Sequence, residues 1–444
     1  MIPLPAGPRA PGLVQGIHLA YRPDRFFEEC ARRYGDCFTL RVPIGAPQVV
    51  FTSPAAVRDI FTADDEALCA GAANGILRPL LGAHSLLLLD GARHARERRL
   101  MLPPFHGERM LAYGHIMREV TDRVLERWPV GRPFPVQTEM QAITLDVILR
   151  TVFGVEGAAL DRLRSLLRRL VSMVTNPLLL WPRLQVDLGP LSPWGRFVRV
   201  RDAVDRLLFA EMARRRNAES GERADVLSLL LEARDETGAP MRDEELRDEM
   251  MTLLLAGHET SATALSWTLH HVLGRPDVLA ALRAELRAVV GDGPLAPEHV
   301  AQLRYLDATV KEALRLTPVV PDVGRLLTRP MRIDGRDLPA GVVAAVCIYL
   351  VHRRPDVWPE PERFDPTRFI DRRTSPYEFL PFGGGVRRCL GMAFALYEIK
   401  IVLAEVLMRV ELQPAPGSRV RLVRRSITFA PSSGMPVVVT AHAA

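Results

Sequence analysis

From about residue 106 to residue 315, apolar side chains recur at helical spacing, with almost none of the strict alternation that a half-buried strand requires. Five segments carry the pattern: Arg109 to Trp128, Gln141 to Phe153, Gly157 to Val174, Gly195 to Ala218 and Arg242 to Leu273. Helices with apolar stripes must bury them against one another. This half of the chain therefore predicts a packed helical body and excludes a large sheet. The proline-rich joint from Asn176 to Trp194 reads as a loop or short pieces between helices.

After Arg315 the character changes. Pro318, Pro321 and Pro330 end the helical run. Met331 to Ile333 and Val342 to Ile348 flank Asp-Gly-Arg-Asp-Leu-Pro-Ala-Gly and are expected to pair as a hairpin. A proline-rich meander follows from Pro355 to Pro366, then a glycine-rich loop at 383–385 and a last long helix from Cys389 to about Val410. Cys37 to Leu40, Gln48 to Phe51 and Ile427 to Val439 suggest strand. The expected fold class is mainly α with a small β lobe. The lobe comes from parts of 24–60 and 317–350, the helical part from about 85–315 and 389–410. A length of 444 residues would suggest roughly three domains. No internal repeat or Gly/Ser-rich linker divides the chain, so residues 13–444 are expected to form one domain behind an extended arm over 1–12.

Composition narrows the function class. The 58 basic and 52 acidic residues leave a formal charge of +6, and only Lys311 and Lys400 are lysines. So small an excess on so long a chain argues against nucleic acid as a partner. No stretch reaches 18 apolar residues, and the opening MIPLPAGPRAPG lacks the apolar centre of a signal peptide. No membrane anchor and a cytoplasmic location are expected. Five cysteines without a CxxC spacing predict no disulfide framework.

One cysteine has an unusual setting. In Pro381-Phe-Gly-Gly-Gly-Val-Arg-Arg-Cys389-Leu-Gly391, three glycines allow a sharp turn and close approach to a flat ligand. A thiol at a helix N-terminus beside arginines is expected to be held as thiolate. A single thiolate with no neighbouring Cys or His suits an axial haem ligand better than a zinc site. The competing reading is a buried structural cysteine beside a glycine turn.

Three other constellations stand out. Ala256-Gly257-His258-Glu259-Thr260 places an acid and a helix-interior glycine in a long apolar helix, at a cost that a ligand groove and a proton path would justify. A helix with one exposed polar face explains it equally well. HExxH zinc chemistry is excluded, because Ala262 stands where the second His would be. Glu312 and Arg315 are three apart on one helix face, a spacing common among surface pairs. His94 and Arg98 are four apart and share a face, within a charged run that a solvated surface would also explain.

Together these residues carry a resemblance. Phe382, Gly385, Arg387, Cys389 and Gly391 meet the pattern Phe-x-x-Gly-x-Arg-x-Cys-x-Gly in full, and the other three motifs follow in the same order along most of the chain. The sequence resembles the cytochrome P-450 superfamily, in particular soluble bacterial haem-thiolate monooxygenases. The resemblance implies the triangular helical prism of that family, with haem b between the central helix and the cysteine-loop helix. Cys389 would be the axial iron ligand. Thr260 would hydrogen-bond the activated oxygen, Glu259 would relay protons, and Gly257, beside Ala256, would leave room for dioxygen. His94, Arg98, Arg325 and Arg387 would contact the haem propionates, with Phe382 and Gly391 framing the loop. Glu312 and Arg315 would form a buried pair completed by Arg363 of the meander. Leu253, Ala256, Val319, Val320, Ile427 and Thr428 would line the substrate pocket.

The resemblance further implies insertion of one oxygen atom from O2 into a C–H bond of a small hydrophobic molecule such as a fatty acid or terpenoid. No flavin domain is recognised in the chain, so electrons are expected from a ferredoxin or flavodoxin with its NAD(P)H reductase. That partner would dock on Arg388, Arg372 and Arg373, with Arg96 and Arg99 as further candidates, against a monomer. The alternatives are a peroxide-driven peroxygenase or isomerase, and a non-catalytic haem sensor. Those peroxide-driven relatives usually lack the acid–Thr pair present here.

Overall fold

The computed structural model describes residues 2–43, 45–107, 109–154, 157–174, 179, 184–217 and 225–442. The helices expected from periodicity form as Arg109–Leu125, Val136–Thr151, Gly157–Val174, Pro193–Asn217 and Asp243–Leu273. The 31-residue Asp243–Leu273 helix, the central helix, carries buried side chains on every face and runs through one continuous apolar core. The Val136–Thr151 helix lies against it, and Met392–Arg409, the cysteine helix, packs on both the central helix and Arg109–Leu125. Apolar residues all round a helix are the pattern of a buried one, so the sequence dictates which helix sits at the centre.

The β lobe is a five-stranded sheet ordered Cys37–Leu40, Gln48–Phe51, Val343–Cys347, Asp322–Leu327 and Leu68–Cys69. Only the pairing of Gln48–Phe51 with Val343–Cys347 is parallel. The expected hairpin is differently placed. Met331–Ile333 pairs with Arg336–Leu338, while Val343–Cys347 joins the large sheet. Asp334 and Gly335 both take left-handed φ, of 46° and 72°, so this two-residue Asp-Gly turn closes the hairpin before the chain reaches Val343. The N-terminal arm is tied down: Thr39 donates through its amide to Ala6 O (3.1 Å) and through Oγ1 to Pro5 O (2.7 Å). The Gly12–Tyr21 helix follows the arm.

The Arg304–Leu316 helix carries the buried ion pair. Glu312 and Arg315 are both 0% exposed and meet in a two-pronged contact, Nε–Oε2 at 2.7 Å and Nη2–Oε1 at 2.8 Å. Arg315 also donates to the carbonyls of His352 (2.8 Å), Pro361 (2.8 Å) and Arg363 (3.3 Å). Trp358 packs over its guanidinium at 5.2 Å. The third charged member is not the expected one. The Arg363 side chain turns outward to Glu360 (3.1 Å), and it is Arg368 that approaches Glu312, at 3.5 Å. Arg363 contributes only its carbonyl, because its side chain leaves the meander on the solvent side.

Removing one partner of a buried pair strands the other. We expect Glu312→Ala to cost about 3–5 kcal/mol in urea unfolding. Arg368→Ala should lower the midpoint more than Arg363→Ala, which should stay within about 0.5 kcal/mol of the parent. Equal losses for the two arginines would restore Arg363 as the partner.

Candidate functional site

The cysteine loop takes its shape from a neighbour far away in sequence. Gly383 and Gly385 adopt φ of 67° and 63°, which L side chains rarely adopt. A Cβ at Gly384 would lie 2.3 Å from the Phe61 ring, and one at Gly385 2.2 Å from the Phe61 carbonyl oxygen. The loop is thus moulded on the end of the Pro54–Thr62 helix. The Cys389 amide donates to Phe382 O at 2.9 Å and closes it. Phe382 packs on the helical core, and Gly391 is the residue before the first helical one, Met392.

Cys389 is accessible, whereas Cys30, Cys37 and Cys347 are buried. The protein packed around its open side nevertheless desolvates the thiol. Burial pushes its pKa up, against the pull of the Gly391 N–H, Arg98 and Arg388. The thiolate expected from the helix terminus and the arginines therefore does not follow from the protein alone. The helix begins three residues later, and desolvation outweighs the charges. A metal that coordinates the sulfur deprotonates it outright.

The four residues expected at the propionates share one neighbourhood. His94 is 3% exposed, and its pKa is pushed down to about 4, first by burial and then by Arg387. It is a neutral hydrogen-bond donor, not a cation. Arg387 is held by two carboxylates that sequence reasoning missed: Asp65, at 3.2 Å and 3.1 Å, and Asp90. Asp65 also accepts the Gly91 amide (3.0 Å), and Asp90 those of Gly71 (2.7 Å) and Ala72 (2.9 Å). No local pattern announces this link, because its partners come from four separated segments.

Arg98 and Arg325 differ from Arg387. Neither has an ion pair among the described residues. Arg325 is buried, donates only to its neighbour's carbonyl, Gly324 O (3.0 Å), and lies over the Phe61 ring at 5.9 Å. Burial and Arg387 push its pKa down to about 10. Desolvated guanidinium groups without a carboxylate are costly unless a ligand supplies the anion. Two such groups, Arg98 facing Cys389 and Arg325 beside Phe61 and Arg387, fit a flat cofactor with two carboxylates, as haem b has. Ala256 supports the fit from the other side, being exposed in the middle of the buried central helix.

On that helix Glu259 Oε2 accepts a hydrogen bond from Gln141 Nε2 at 2.8 Å. Burial raises the Glu259 pKa, opposed by Gln141 and the Arg425 charge. Thr260 Oγ1 donates to the carbonyl of Ala256. The expected role of Gly257 changes. A Cβ there would meet Ile148 Cδ1 at 2.7 Å, so this glycine admits the neighbouring helix. Ala256 is the more exposed of the two.

Two of the segments expected to face the substrate meet at the central helix. The Phe429 amide donates to Val319 O (2.7 Å), and Trp267 Nε1 to Phe429 O (2.9 Å), tying the Leu422–Pro431 hairpin to the central helix. Ile427 is exposed at the hairpin tip, Leu253 and Val320 are half-buried, and Val319 and Thr428 are buried.

Two arginines considered for docking are committed elsewhere. Arg96 pairs with Asp235 (2.6 Å) and Glu97, and Arg99 with Glu236. Arg372, Arg373 and Arg388 remain exposed and without a carboxylate partner among the described residues.

A second buried acid escaped the sequence reading. Glu398, on the cysteine helix, is 0% exposed and faces Ser261 of the central helix, and burial pushes its pKa up to about 8. Helical spacing from Cys389 could have flagged it, but a single acid in an apolar helix gives no hint of where it points. Its folded pKa lies above the unfolded value, so the native state binds the extra proton. Its contribution to stability should therefore fall as pH rises from about 4.5 towards 8. Glu398→Gln should flatten that fall in melts at pH 5 and pH 8. A parallel dependence in both proteins would show that Glu398 is ionised when buried.

Three comparisons with known proteins agree with this geometry. The family profile described as Cytochrome P450 matches residues 5–436. A Mycobacterium tuberculosis protein provisionally named cytochrome P450 135B1 is 41% identical over 448 aligned residues, covering 99% of this chain and 92% of its own. Another from that species, provisionally named cytochrome P450 135A1, is 38% identical over 97% of this chain and 94% of its own. Among solved structures, retinoic-acid-bound cyanobacterial CYP120A1 superimposes at a TM-score of 0.87 with 26% identity, over 100% of both chains. The cytochrome P450DA haem domain matches at 0.87 and 26%, over 100% of this chain and 99% of its own. No described helix is long and apolar enough to cross a membrane.

Proposed function

The chain belongs to the cytochrome P450 family and is a haem-thiolate monooxygenase, and from that premise we propose that Cys389 supplies the axial sulfur and Glu259 and Thr260 the protons. The observation that carries the assignment is the accessible Cys389 thiol in a glycine loop moulded on Phe61, beside two guanidinium groups that lack a carboxylate. When bound, haem b supplies dioxygen binding and the two-electron chemistry that puts one oxygen atom into a C–H bond and releases the other as water.

The rest falls to the chain. Arg98 and Arg325 neutralise the two propionates, and His94, kept neutral by burial, donates an N–H there. Arg387 acts at one remove. Held by Asp65 and Asp90, it ties the loop to the segments that carry those two carboxylates as much as it offers charge. Glu259 sits in a desolvated position that raises its affinity for a proton, and the Thr260 hydroxyl can pass one on once it leaves the Ala256 carbonyl.

The substrate is a small hydrophobic molecule, a fatty acid or terpenoid. The walls offered by Leu253, Val319, Val320 and Ile427 support this class. So does the retinoic acid, an isoprenoid acid, carried by the CYP120A1 structure. The electron donor is an acidic ferredoxin or flavodoxin that docks on the face bearing Arg388, Arg372 and Arg373.

The first test is the carbon monoxide difference spectrum of the reduced protein. We expect the red-shifted band of a thiolate-ligated haem, and its loss in Cys389→Ala. A thiolate band that survives the substitution would remove Cys389 as ligand. Thr260→Ala should keep the band but divert NAD(P)H equivalents into peroxide, and unchanged product yield would contradict its role. Arg388→Glu should slow reduction by ferredoxin, with the difference shrinking as salt rises. Salt-independent rates equal to the parent would place docking elsewhere.

A further inference from the structure

Three residues of the Val136–Thr151 helix hold three consecutive residues of the central helix. Gln141, Thr144 and Ile148 are spaced three and four apart, so they share one face. Ile148 fills the notch that Gly257 leaves, with Cδ1 at 2.7 Å from where a Cβ would be. Thr144 Oγ1 lies 3.0 Å from the carbonyl of His258, a bond it shares with its own helix at Met140 O. Gln141 Nε2 donates to Glu259 Oε2 at 2.8 Å. The first two contacts fix the backbone of the motif relative to the neighbouring helix. The third fixes a side chain whose position and charge matter.

We propose that Gln141 is a positioning residue for Glu259, holding its carboxylate drawn back against the Val136–Thr151 helix and releasing it for proton delivery. This rests on the role given to Glu259 above. Gln141 is suited to it on chemical grounds. Its amide offers two N–H groups and an acceptor oxygen, so it bonds Glu259 in either protonation state, but it cannot itself take up or give a proton at neutral pH. Thr260 is also restrained, with its hydroxyl turned to Ala256 O. Both proton-bearing groups are therefore parked on protein acceptors or donors, and delivery starts when those local bonds are exchanged. The charged group that bears on Glu259 from the C-terminal hairpin is Arg425. His258, next along the central helix, feels Arg168 of the Gly157–Val174 helix instead. Burial favours the neutral acid, while the Gln141 donor and Arg425 favour the carboxylate. Removing the donor should therefore leave Glu259 protonated to higher pH.

The test is an infrared pH titration of the full chain, reading the carboxylic C=O stretch of Glu259, identified as the band lost in Glu259→Gln. In Gln141→Leu that band should persist to higher pH than in the parent. Gln141→Glu, nearly isosteric, should shift it the same way, since two facing carboxyls cannot both ionise freely; it keeps the test alive if the leucine variant does not fold. Titrations that overlay the parent in every variant that folds would overturn the proposal. The peroxide released per NAD(P)H, with a plant-type ferredoxin and its reductase, then separates the two claims. If Glu259→Gln releases no more peroxide than the parent across the pH range, the role of Glu259 falls even where the infrared shift is seen. If Glu259→Gln raises peroxide and Gln141→Leu leaves both its level and its pH profile unchanged, Gln141 is packing only.

Discussion

A guanidinium group with no water around it must find acceptors for its protons or the fold does not tolerate it. Arg315 meets that demand with Glu312 on its own helix and with the carbonyls of His352, Pro361 and Arg363. Those carbonyls belong to a stretch of chain with little regular structure, where few backbone hydrogen bonds would otherwise fix the path. The arginine therefore does for the meander what a ladder does for a strand. Glu312 adds the Asp365 amide, at 2.9 Å, so both ends of the pair hold backbone. Downstream, His352 Nε2 accepts the Leu380 amide at 2.9 Å, which carries the constraint to within a few residues of the cysteine loop.

Electrostatics of the site follows from which charges are already satisfied. Arg387, flanked by Asp65 and Asp90, behaves as a strut between segments, and its charge still bears on His94 and Arg325. Arg98 and Arg325 are the reserve of positive charge. The same burial that holds the Arg325 guanidinium below its usual range keeps His94 neutral and raises the Cys389 thiol. One physical cause, removal of water, thus acts on all three, and the charges expected from sequence alone are modified accordingly.

The long helices and the cysteine loop were legible in the sequence, because periodicity and glycine spacing are local properties. Gln141 was not, nor were Asp65 and Asp90. Their importance comes from contacts spanning up to 322 positions, which no local pattern records. The exchange of Arg363 for Arg368 has the same origin: one arginine lies in the meander and the other just after it, and only the turn of the backbone decides which one faces inward. The hairpin misplacement differs. The Asp334-Gly335 signal was present in the sequence, but the wrong second strand was assigned to it.

The moulding of Gly384 and Gly385 on Phe61 has a consequence for the order of events during synthesis. Phe61 leaves the ribosome long before the cysteine loop does, and the loop has no template of its own. The segment proposed to hold the haem iron can therefore take its shape only against the Pro54–Thr62 helix. Cofactor capture at that loop thus depends on a contact between the two ends of the chain.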